Sequence, residues 1–272
     1  MADVKEYFNR MFAVQSEPTA TDIDRAHVIA NLIPADVKSV LDVGCGTGLV
    51  TREIAMRYPV VGVELSKTGV ATVRSMGIEC CQGNVSRIPR ADRSADLVLA
   101  SEVLEHLDDS LYAAARRELP RVADRYILIT VPNQDYFPYL RQECPRCRSM
   151  IVPWGHIRSF NHTIMPGLFA GFELCELREF GPRIVNRGSL LSRLLSWPES
   201  LQQPLLYGMI CSICKYQELK HKSTKRPTIA FAIRHPFSTF THGLRFLSVR
   251  LSPKCPRWLL ALYQRSGRTL QN

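Results

Sequence analysis

This 272-residue sequence contains no long apolar run, and we expect no signal peptide. No segment approaches the roughly 20 consecutive apolar residues that a membrane-spanning helix needs, and the acidic, polar N-terminus is not typical of a cleaved leader. Internal repeats and low-complexity segments are also missing. We therefore expect a cytoplasmic globular protein whose nine cysteines are thiols or metal ligands before they are disulfides.

Acidic residues are scarce in the last part of the chain. From Lys215 to the C-terminus, twelve Lys and Arg stand against a single acid, Glu218, a net charge of +11. Residues 1–214 contain the other 23 bases and 24 acids, so this C-terminal part carries the whole excess of positive charge. Such an asymmetry indicates an anionic partner for the tail.

An apolar run, a glycine-rich turn and an acid follow one another between residues 40 and 65. Residues 40–43 suit a buried strand, residues 49–58 have a helical pattern, and residues 60–63 suit a second strand that ends on the acid Glu64. The glycines of the turn are Gly44, Gly46 and Gly48. This order of strand, glycine turn, helix, strand and acid is the first half of a nucleotide-binding α/β unit.

The details of this turn indicate which nucleotide it binds. Leu49 occupies the place of the third dinucleotide glycine, and Asp42 puts a carboxylate where a pyrophosphate would be repelled. A ligand with a cationic amino-acid end and a ribose fits better, since Glu64 can accept the ribose hydroxyl protons. That ligand is S-adenosylmethionine, and the stretch VLDVGCGTGLVTREIAMRYPVVGVEL resembles the first motif of the class I methyltransferases.

This resemblance implies an α/β fold with a Rossmann-like, seven-stranded sheet and identifies the residues that line the cofactor. It places Asn84 against the adenine amino group, although a turn asparagine is the alternative. The segment Ser101–Leu107, SEVLEHL, is similar to one that lines the cofactor and the substrate mouth in the family. The expected cofactor-binding residues are Asp42, Gly44, Cys45, Gly46, Gly48, Glu64, Leu65, Asn84, Val85 and Ser101.

The predicted strands and the basic composition of the C-terminal part divide the chain into a methyltransferase domain and a tail. The domain covers residues 1–235, with substrate-cap insertions at about 135–160 and 181–227. Its last, antiparallel strand is predicted at residues 228–234, and residues 236–272 form a basic amphipathic appendage.

Three further helices are predicted outside the sheet. Two precede the first strand, at residues 4–12 and 22–33, and either close over the cofactor or simply cover the core. A third is predicted at residues 161–170, with Asn161 as its cap.

Each cap insertion contains one C-x-x-C pair, and two such pairs can surround one tetrahedral Zn²⁺ with four thiolates. The expected ligands are Cys144, Cys147, Cys211 and Cys214. Reduced thiols without a metal are the alternative reading, and His156 is an alternative ligand. Some methyltransferases associated with glycan biosynthesis have similar C-x-x-C pairs and a G-H-x-R-S-F run, so the resemblance extends to this region.

Two histidines are candidates for the base that takes a proton from the methyl acceptor, His106 in SEVLEHL and His156 in WGHIRSF. Residues 96–100 are predicted as the fourth strand, and no N/D-P-P-Y/F motif follows it, which argues against methylation of base amino groups in nucleic acid. We expect methyl transfer to an oxygen of a sugar, a lipid-linked glycan or another small molecule. The alternatives are a small aromatic acceptor such as a quinone precursor, or a cofactor-binding scaffold without catalysis.

The tail mixes basic residues with Phe, Leu and Trp, and residues 258–263 are an apolar run flanked by Arg257 and Arg265. This pattern predicts an interfacial helix on an anionic membrane surface, which would make the protein peripheral there. A helix pair that packs on the sheet or on a second subunit is the alternative. Nucleic acid is a less favoured partner, because the apolar content is high for a nucleic-acid arm.

Overall fold

The chain divides into two compact units in the computed structural model. The described residues are 2–13, 17–133, 142–144, 146–152, 155–185, 211, 214, 216 and 254–267. The first unit comprises Met1–Asn133, Phe160–Pro182 and Pro256–Asn272. The second comprises Gln134–Ser159 and Arg183–Cys255. The second unit therefore contains the predicted cap insertions except for residues 160, 181 and 182, and their place over the substrate stays a prediction.

Helices and strands alternate through the first half of the chain, as the apolar periodicity predicts. The helices are α1 (Ala2–Ala13), α2 (Ala20–Asn31), α3 (Leu49–Ala55), α4 (Lys67–Ser75) and α5 (Asp109–Val122), with a short 3₁₀ helix at Leu104–His106. The strands are β1 (Val40–Val43), β2 (Val60–Glu64), β3 (Cys80–Gln82), β4 (Ala95–Ser101), β5 (Ala123–Pro132), β6 (Gln142–Glu143), β7 (Met150–Ile151), β8 (Phe172–Val185) and β9 (Lys254–Arg265).

Seven of these strands form one sheet in the order β3-β2-β1-β4-β5-β9-β8. The first five pair in parallel, with Val40 opposite Val60 on one side and Leu97 on the other. Strand β9 pairs antiparallel with β5, so that Ile129 stands opposite Ala261. The predicted seven-stranded, Rossmann-like sheet is thus confirmed. In such sheets the ligand crevice lies outside the carboxyl ends of the parallel strands.

The last strand of the sheet differs from the prediction. Residues 258–263, predicted as a helix at a membrane surface, lie in β9, and Leu259 and Tyr263 are fully buried. The helical reading was wrong because a fully buried strand and a buried helix segment share the same continuous apolar run. The antiparallel strand predicted at residues 228–234 was misplaced as well, since β9 fills that position; residues 228–234 lie outside the described residues.

This strand also changes the predicted domain boundary. Residues Pro256–Asn272 belong to the first unit, so the last part of the appendage predicted at 236–272 is not separate from the unit that holds the sheet. Residues 236–253 lie outside the described residues. The helix predicted at 161–170 was also wrong, because the chain forms turns there in which Oδ1 of Asn161 accepts hydrogen bonds from two following backbone N–H groups.

Apolar side chains on both faces of the sheet hold the helices in place. Successive residues of β4 alternate between the two faces: Val98 packs with α5, and Leu97 and Leu99 pack with α2 and α3. A sheet covered on both faces needs the nearly continuous apolar strands that the sequence contains. Among the described helices, none is long and apolar enough to cross a membrane.

Candidate active site

The turn between β1 and α3 contains three glycines in the left-handed region of backbone space. Their φ angles are 79° at Gly44, 57° at Gly46 and 84° at Gly48, values that residues with a Cβ rarely adopt. A Cβ at Gly44 would stand 2.5 Å from Cγ2 of Val103. At Gly46 the nearest atom to such a Cβ belongs to the Phe12 ring, at 3.5 Å. The turn is therefore tightly packed at its first glycine and has more room at its second.

The acid at the end of β2 holds this turn in place. Oε2 of Glu64 accepts a hydrogen bond from the Gly46 N–H at 2.9 Å, and Oε1 accepts one from the Ser66 N–H at 2.7 Å. Burial raises the pKa of Glu64, although these N–H donors oppose the increase. The structure thus brings Glu64 and the glycine turn together, and the contact of Glu64 with a ribose stays a prediction.

A second carboxylate is buried beneath the same turn. Asp42 in β1 is 1% exposed, and its Oδ2 accepts a hydrogen bond from the Thr51 hydroxyl at 2.7 Å. Burial is the main cause that raises the pKa of Asp42 to about 7; the Thr51 hydrogen bond opposes it and the nearby Glu64 adds to it. Two acids with raised pKa values at one glycine turn favour a cationic ligand.

The cysteine within the glycine turn faces the core. Sγ of Cys45 lies 3.7 Å from Sγ of Cys80 in β3, and both side chains are buried. Hydrogen bonding with Cys80, together with burial, raises the pKa of the Cys45 thiol. Any contact of Cys45 with the cofactor would therefore come from its backbone.

Three further predicted cofactor-binding residues, Leu65, Asn84 and Val85, lie in the loops after β2 and β3. The Leu65 carbonyl accepts a hydrogen bond from Nε2 of Gln82 at 2.8 Å, and Val85 is buried. Oδ1 of Asn84 accepts the Ser86 N–H at 2.9 Å. The Asn84 oxygen therefore stabilises its own turn, as in the alternative reading, and the contact with adenine stays a prediction.

Helix α1 lies against the start of α4 and the glycine turn. Oδ1 of Asn9 accepts hydrogen bonds from the Ser66 hydroxyl at 2.7 Å and from the Lys67 N–H at 2.9 Å. The Phe8 ring packs edge-on against the His106 ring, with centroids 5.5 Å apart. One helix thus contacts both the cofactor loops and the candidate base.

Several polar side chains meet where β4 and β5 end. The Ser101 and Thr130 hydroxyl oxygens are 2.9 Å apart, and the Thr130 hydroxyl also donates to Oε1 of Glu102 at 3.3 Å. Glu102 has a φ of 55°, unusual for a residue other than glycine. The 3₁₀ helix follows, and the imidazole of His106 at its end is half-buried.

The other candidate base belongs to the second unit. The Gly155 N–H, next to His156, donates to the Val152 carbonyl, and the His156 side chain is half-buried. Its predicted part in catalysis stays a prediction.

The four cysteines of the two C-x-x-C pairs converge in the second unit. Their Sγ atoms all lie within 4.8 Å of one another. Sγ of Cys144 is 3.6 Å from that of Cys214, and Sγ of Cys147 is 3.7 Å from that of Cys211. Hydrogen bonds from Ser149 lower the pKa of the Cys147 thiol to about 6. This donor set suits a soft, tetrahedral metal ion such as Zn²⁺.

Two residues of the candidate site escaped prediction. Glu102 stands inside the SEVLEHL segment, but sequence alone does not reveal its left-handed backbone. Trp258, whose Nε1 donates to Oε2 of Glu102 at 2.9 Å, was misread as part of a membrane helix. A six-residue apolar run has the length of a strand rather than of a helix, and this signal would have found it.

Comparison with known proteins identifies the chemistry of the first unit. A model of a methyltransferase domain family matches residues 40–125. A probable S-adenosylmethionine-dependent methyltransferase of Mycobacterium tuberculosis is 32% identical over 193 residues, which are 64% of this chain and 67% of that protein. The ubiquinone biosynthesis O-methyltransferase of Hahella chejuensis is 32% identical over 157 residues, 52% of this chain and 65% of that protein.

Solved structures share the fold. The crystal structure of the cyclase SpnF aligns with a TM-score of 0.53 at 15% identity, covering 97% of this chain and 93% of that one. An S-adenosylmethionine-dependent methyltransferase from Methanosarcina mazei aligns with a TM-score of 0.52 at 14% identity, covering 88% and 96%. With the glycine turn and the acid after β2 in place, the chain belongs to the class I S-adenosylmethionine-dependent methyltransferases.

Proposed function

We propose that the enzyme methylates an oxygen of a hydroxylated small molecule, such as a sugar or a lipid-linked glycan. The observation that carries this proposal is the half-buried His106 imidazole. It follows the carboxyl end of β4, the strand next to β1 and its glycine turn. A hydroxyl must lose its proton when it becomes an ether, and a positioned imidazole can take that proton. A thioether or a tertiary amine has no proton to lose when it is methylated, so such an acceptor would not need this base.

The residues at the carboxyl ends of the strands fit S-adenosylmethionine. The glycine turn offers close backbone approach, and the buried carboxylates of Asp42 and Glu64 suit a ligand with positive charge and ribose hydroxyls. When bound, S-adenosylmethionine supplies a methyl group that is already activated by its sulfonium. The protein then has to orient the acceptor and exclude water, which accounts for much of the rate of such transfers.

The packing of the His106 ring against α1 would orient it as the base. The edge-on contact with Phe8 limits rotation of the imidazole. An acceptor hydroxyl held beside it would pass its proton to a ring nitrogen as the oxygen attacks the methyl carbon. The orientation of the base therefore depends on α1 as well as on the 3₁₀ helix.

A labelled-methyl assay tests the proposal. Protein incubated with isotopically labelled S-adenosylmethionine and sugar, glycolipid and polyhydroxylated aromatic acceptors should yield a product whose label mass spectrometry assigns to oxygen. H106A should lose most of this activity, while H27A, at an exposed position on α2, should retain it. Label on nitrogen or carbon, or full activity in H106A, would contradict the proposal.

A quinone-precursor acceptor is the second candidate. It is favoured by the 32% identity to the ubiquinone biosynthesis O-methyltransferase of Hahella chejuensis. The same acceptor panel separates the two, since an enzyme of this kind should methylate the polyhydroxylated aromatic compound and leave the sugars and glycolipids unmodified.

We also propose that the four cysteines of the second unit bind one structural Zn²⁺. Four thiolates at about 2.3 Å from a zinc ion form a tetrahedron with edges of roughly 3.8 Å, close to the 3.6 and 3.7 Å between Sγ atoms in the two facing pairs. A disulfide would need about 2.05 Å. The cluster packs with Ile151 and joins segments 60 or more residues apart in sequence, so the metal would hold the second unit together.

Metal analysis tests this site. Purified protein should contain about one zinc per chain, and the double variant C211S/C214S should lose it. C175S, at an exposed cysteine of β8, is the matched control and should retain the metal. Wild-type protein that contains no zinc after purification with zinc-supplemented medium would overturn the proposal.

A further inference from the structure

Glu102 has a backbone conformation that its side chain does not favour. It follows β4 directly, with a φ of 55°, and its N–H still donates to the Thr130 carbonyl at 3.0 Å. Non-glycine residues in the left-handed region persist where surrounding contacts outweigh the strain, and such residues cluster at functional sites. We therefore expect contacts of the Glu102 carboxylate to stabilise this backbone conformation.

The carboxylate of Glu102 is bound from two other strands and a helix. Oε2 accepts the Trp258 indole N–H from β9 at 2.9 Å, and Oε1 accepts the Thr130 hydroxyl from β5 at 3.3 Å. A guanidinium nitrogen of Arg25 on α2 lies 3.9 Å from Oε2. Charge-assisted hydrogen bonds of this kind are the stronger ones in proteins.

Trp258 is itself held rigidly. Its ring stacks on Phe180 with centroids 5.1 Å apart and an interplanar angle of 24°. The guanidinium groups of Arg257 and Arg25 lie 4.7 and 5.4 Å from its centroid. A Cβ at Gly181 would stand 2.5 Å from the ring, so this glycine leaves the space that the indole fills. The N–H that reaches Glu102 is thus fixed by packing.

The next residue joins this anchor to the cofactor turn. Val103 puts Cγ2 2.5 Å from where a Cβ at Gly44 would stand, so its methyl group lies directly against the first glycine of the turn. The 3₁₀ helix that ends at His106 follows immediately. The direction in which the chain leaves Glu102 therefore decides where both Val103 and His106 are placed.

We propose that Glu102 and Trp258 form a positioning pair for methyl transfer, in which the hydrogen bond from the last strand of the sheet holds the turn after β4 against the glycine turn. Neither residue acts on the reacting atoms. Their effect is on the affinity for S-adenosylmethionine, through Val103 and Gly44. The inference rests on the cofactor site of the family and not on the identity of the acceptor.

Calorimetric titration with S-adenosylmethionine and S-adenosylhomocysteine tests the pair. E102A and W258F should each bind both ligands about tenfold more weakly, as expected for loss of a charge-assisted hydrogen bond. The double variant should be no weaker than either single variant, since both remove the same contact. E102Q should restore most of the affinity, because its amide oxygen can still accept the indole N–H.

A glycine variant at position 102 distinguishes an effect on cofactor affinity from an effect on the stability of the fold. E102G removes the backbone strain together with the carboxylate, so it should unfold at a temperature near that of the wild type yet still bind the cofactor about tenfold more weakly. The matched control is R93G, at another left-handed residue, in the turn before β4, which should keep wild-type affinity. Wild-type affinity in W258F and E102G, or an E102Q variant as weak as E102A, would overturn the proposal.

Discussion

At the scale of single residues, two buried carboxylates determine the electrostatics of this site. Asp42 and Glu64 lie at the ends of neighbouring parallel strands, and burial raises the pKa of each. The desolvation that costs the free protein stability becomes an advantage when a cationic ligand arrives, because the ligand then neutralises charge that water no longer solvates. S-adenosylmethionine carries such positive charge on its sulfonium and ammonium groups.

Replacement of Glu64 tests the acid after β2. In E64A the Gly46 and Ser66 N–H groups lose their acceptor, which should lower the free energy of unfolding by about 1–3 kcal/mol and weaken cofactor binding. E64Q keeps one acceptor oxygen and should fall between. Urea unfolding and calorimetric titration measure the two effects, with the exposed E79A as control. Unchanged cofactor affinity in E64A would show that the ribose contact is misassigned.

Asp42 should make the stability of the free enzyme depend on pH. Its folded pKa of about 7 lies above the ordinary value of 3.8, so the folded state binds the proton more tightly than the unfolded chain does. Between about pH 4 and 7 the unfolded chain is ionised while the folded one is still protonated. The contribution of Asp42 to the free energy of unfolding therefore falls with rising pH across this window and is constant above it.

The variant D42N removes this titration while an amide oxygen can still accept the Thr51 hydrogen bond. Relative to wild type, its free energy of unfolding should rise as pH increases from 4 to 7, and the gap should then level off. Urea unfolding of wild type and D42N at several pH values measures this difference. A gap independent of pH would contradict the raised pKa of Asp42.

At the scale of elements, β9 is the strand on which the sheet depends. It pairs with β5 from Tyr126 to Pro132, and its Arg265 donates to the Pro120, Ala123 and Asp124 carbonyls. The last strand in sequence thus lies between β5 and β8 rather than at an edge. The chain cannot complete its sheet until its C-terminal residues are present.

Truncation tests this dependence. A chain that ends at residue 253 should aggregate or fail to fold, because the edge of β5 and a large apolar surface would be exposed. A chain that ends at Gly267 keeps all of β9 and should fold normally. Circular dichroism and size-exclusion chromatography distinguish the two. A soluble, cofactor-binding protein without β9 would show that the strand is dispensable.

At the scale of the whole molecule, the excess positive charge of the C-terminal part indicates an anionic partner. Part of the predicted tail lies in the sheet, but residues 215–253 still contain eight Lys and Arg against one acid, a net charge of +7. We expect this segment to attract anionic lipid, with each base near the surface contributing about 1 kcal/mol. Vesicle association would then place a lipid-linked acceptor close to the enzyme.

Sedimentation with vesicles measures this association. Full-length protein should sediment with vesicles rich in phosphatidylserine at low salt and less so at high salt, but not with neutral vesicles. Replacing Lys220, Lys222, Lys225 and Arg226 with Gln should weaken binding, while replacing four bases of residues 1–133 should not. Equal recovery with neutral and anionic vesicles would exclude an electrostatic membrane partner.

The local signals in the sequence were sufficient for the cofactor half of the sheet. A buried strand, a turn that needs three left-handed glycines and the helix that follows it all depend on residues within a few positions of one another, and so β1, α3 and β2 could be predicted. The spacing of the C-x-x-C pairs likewise pointed to the four cysteines that the fold brings together. These features depend on steric effects between nearby residues and on the chemistry of ligand side chains, both of which can be recognised in a single sequence.

What only the tertiary structure decided depends on distant pairing. Whether the run from Trp258 to Tyr263 is helix or strand depends on its partner β5, some 130 residues earlier, and no local pattern identifies that partner. The strained backbone of Glu102 is likewise stabilised by an indole 156 residues away. The sequence by itself determined the cofactor and its loop, whereas the order of the last strands and the anchor behind the site follow from long-range contacts whose energy exists only in the folded chain.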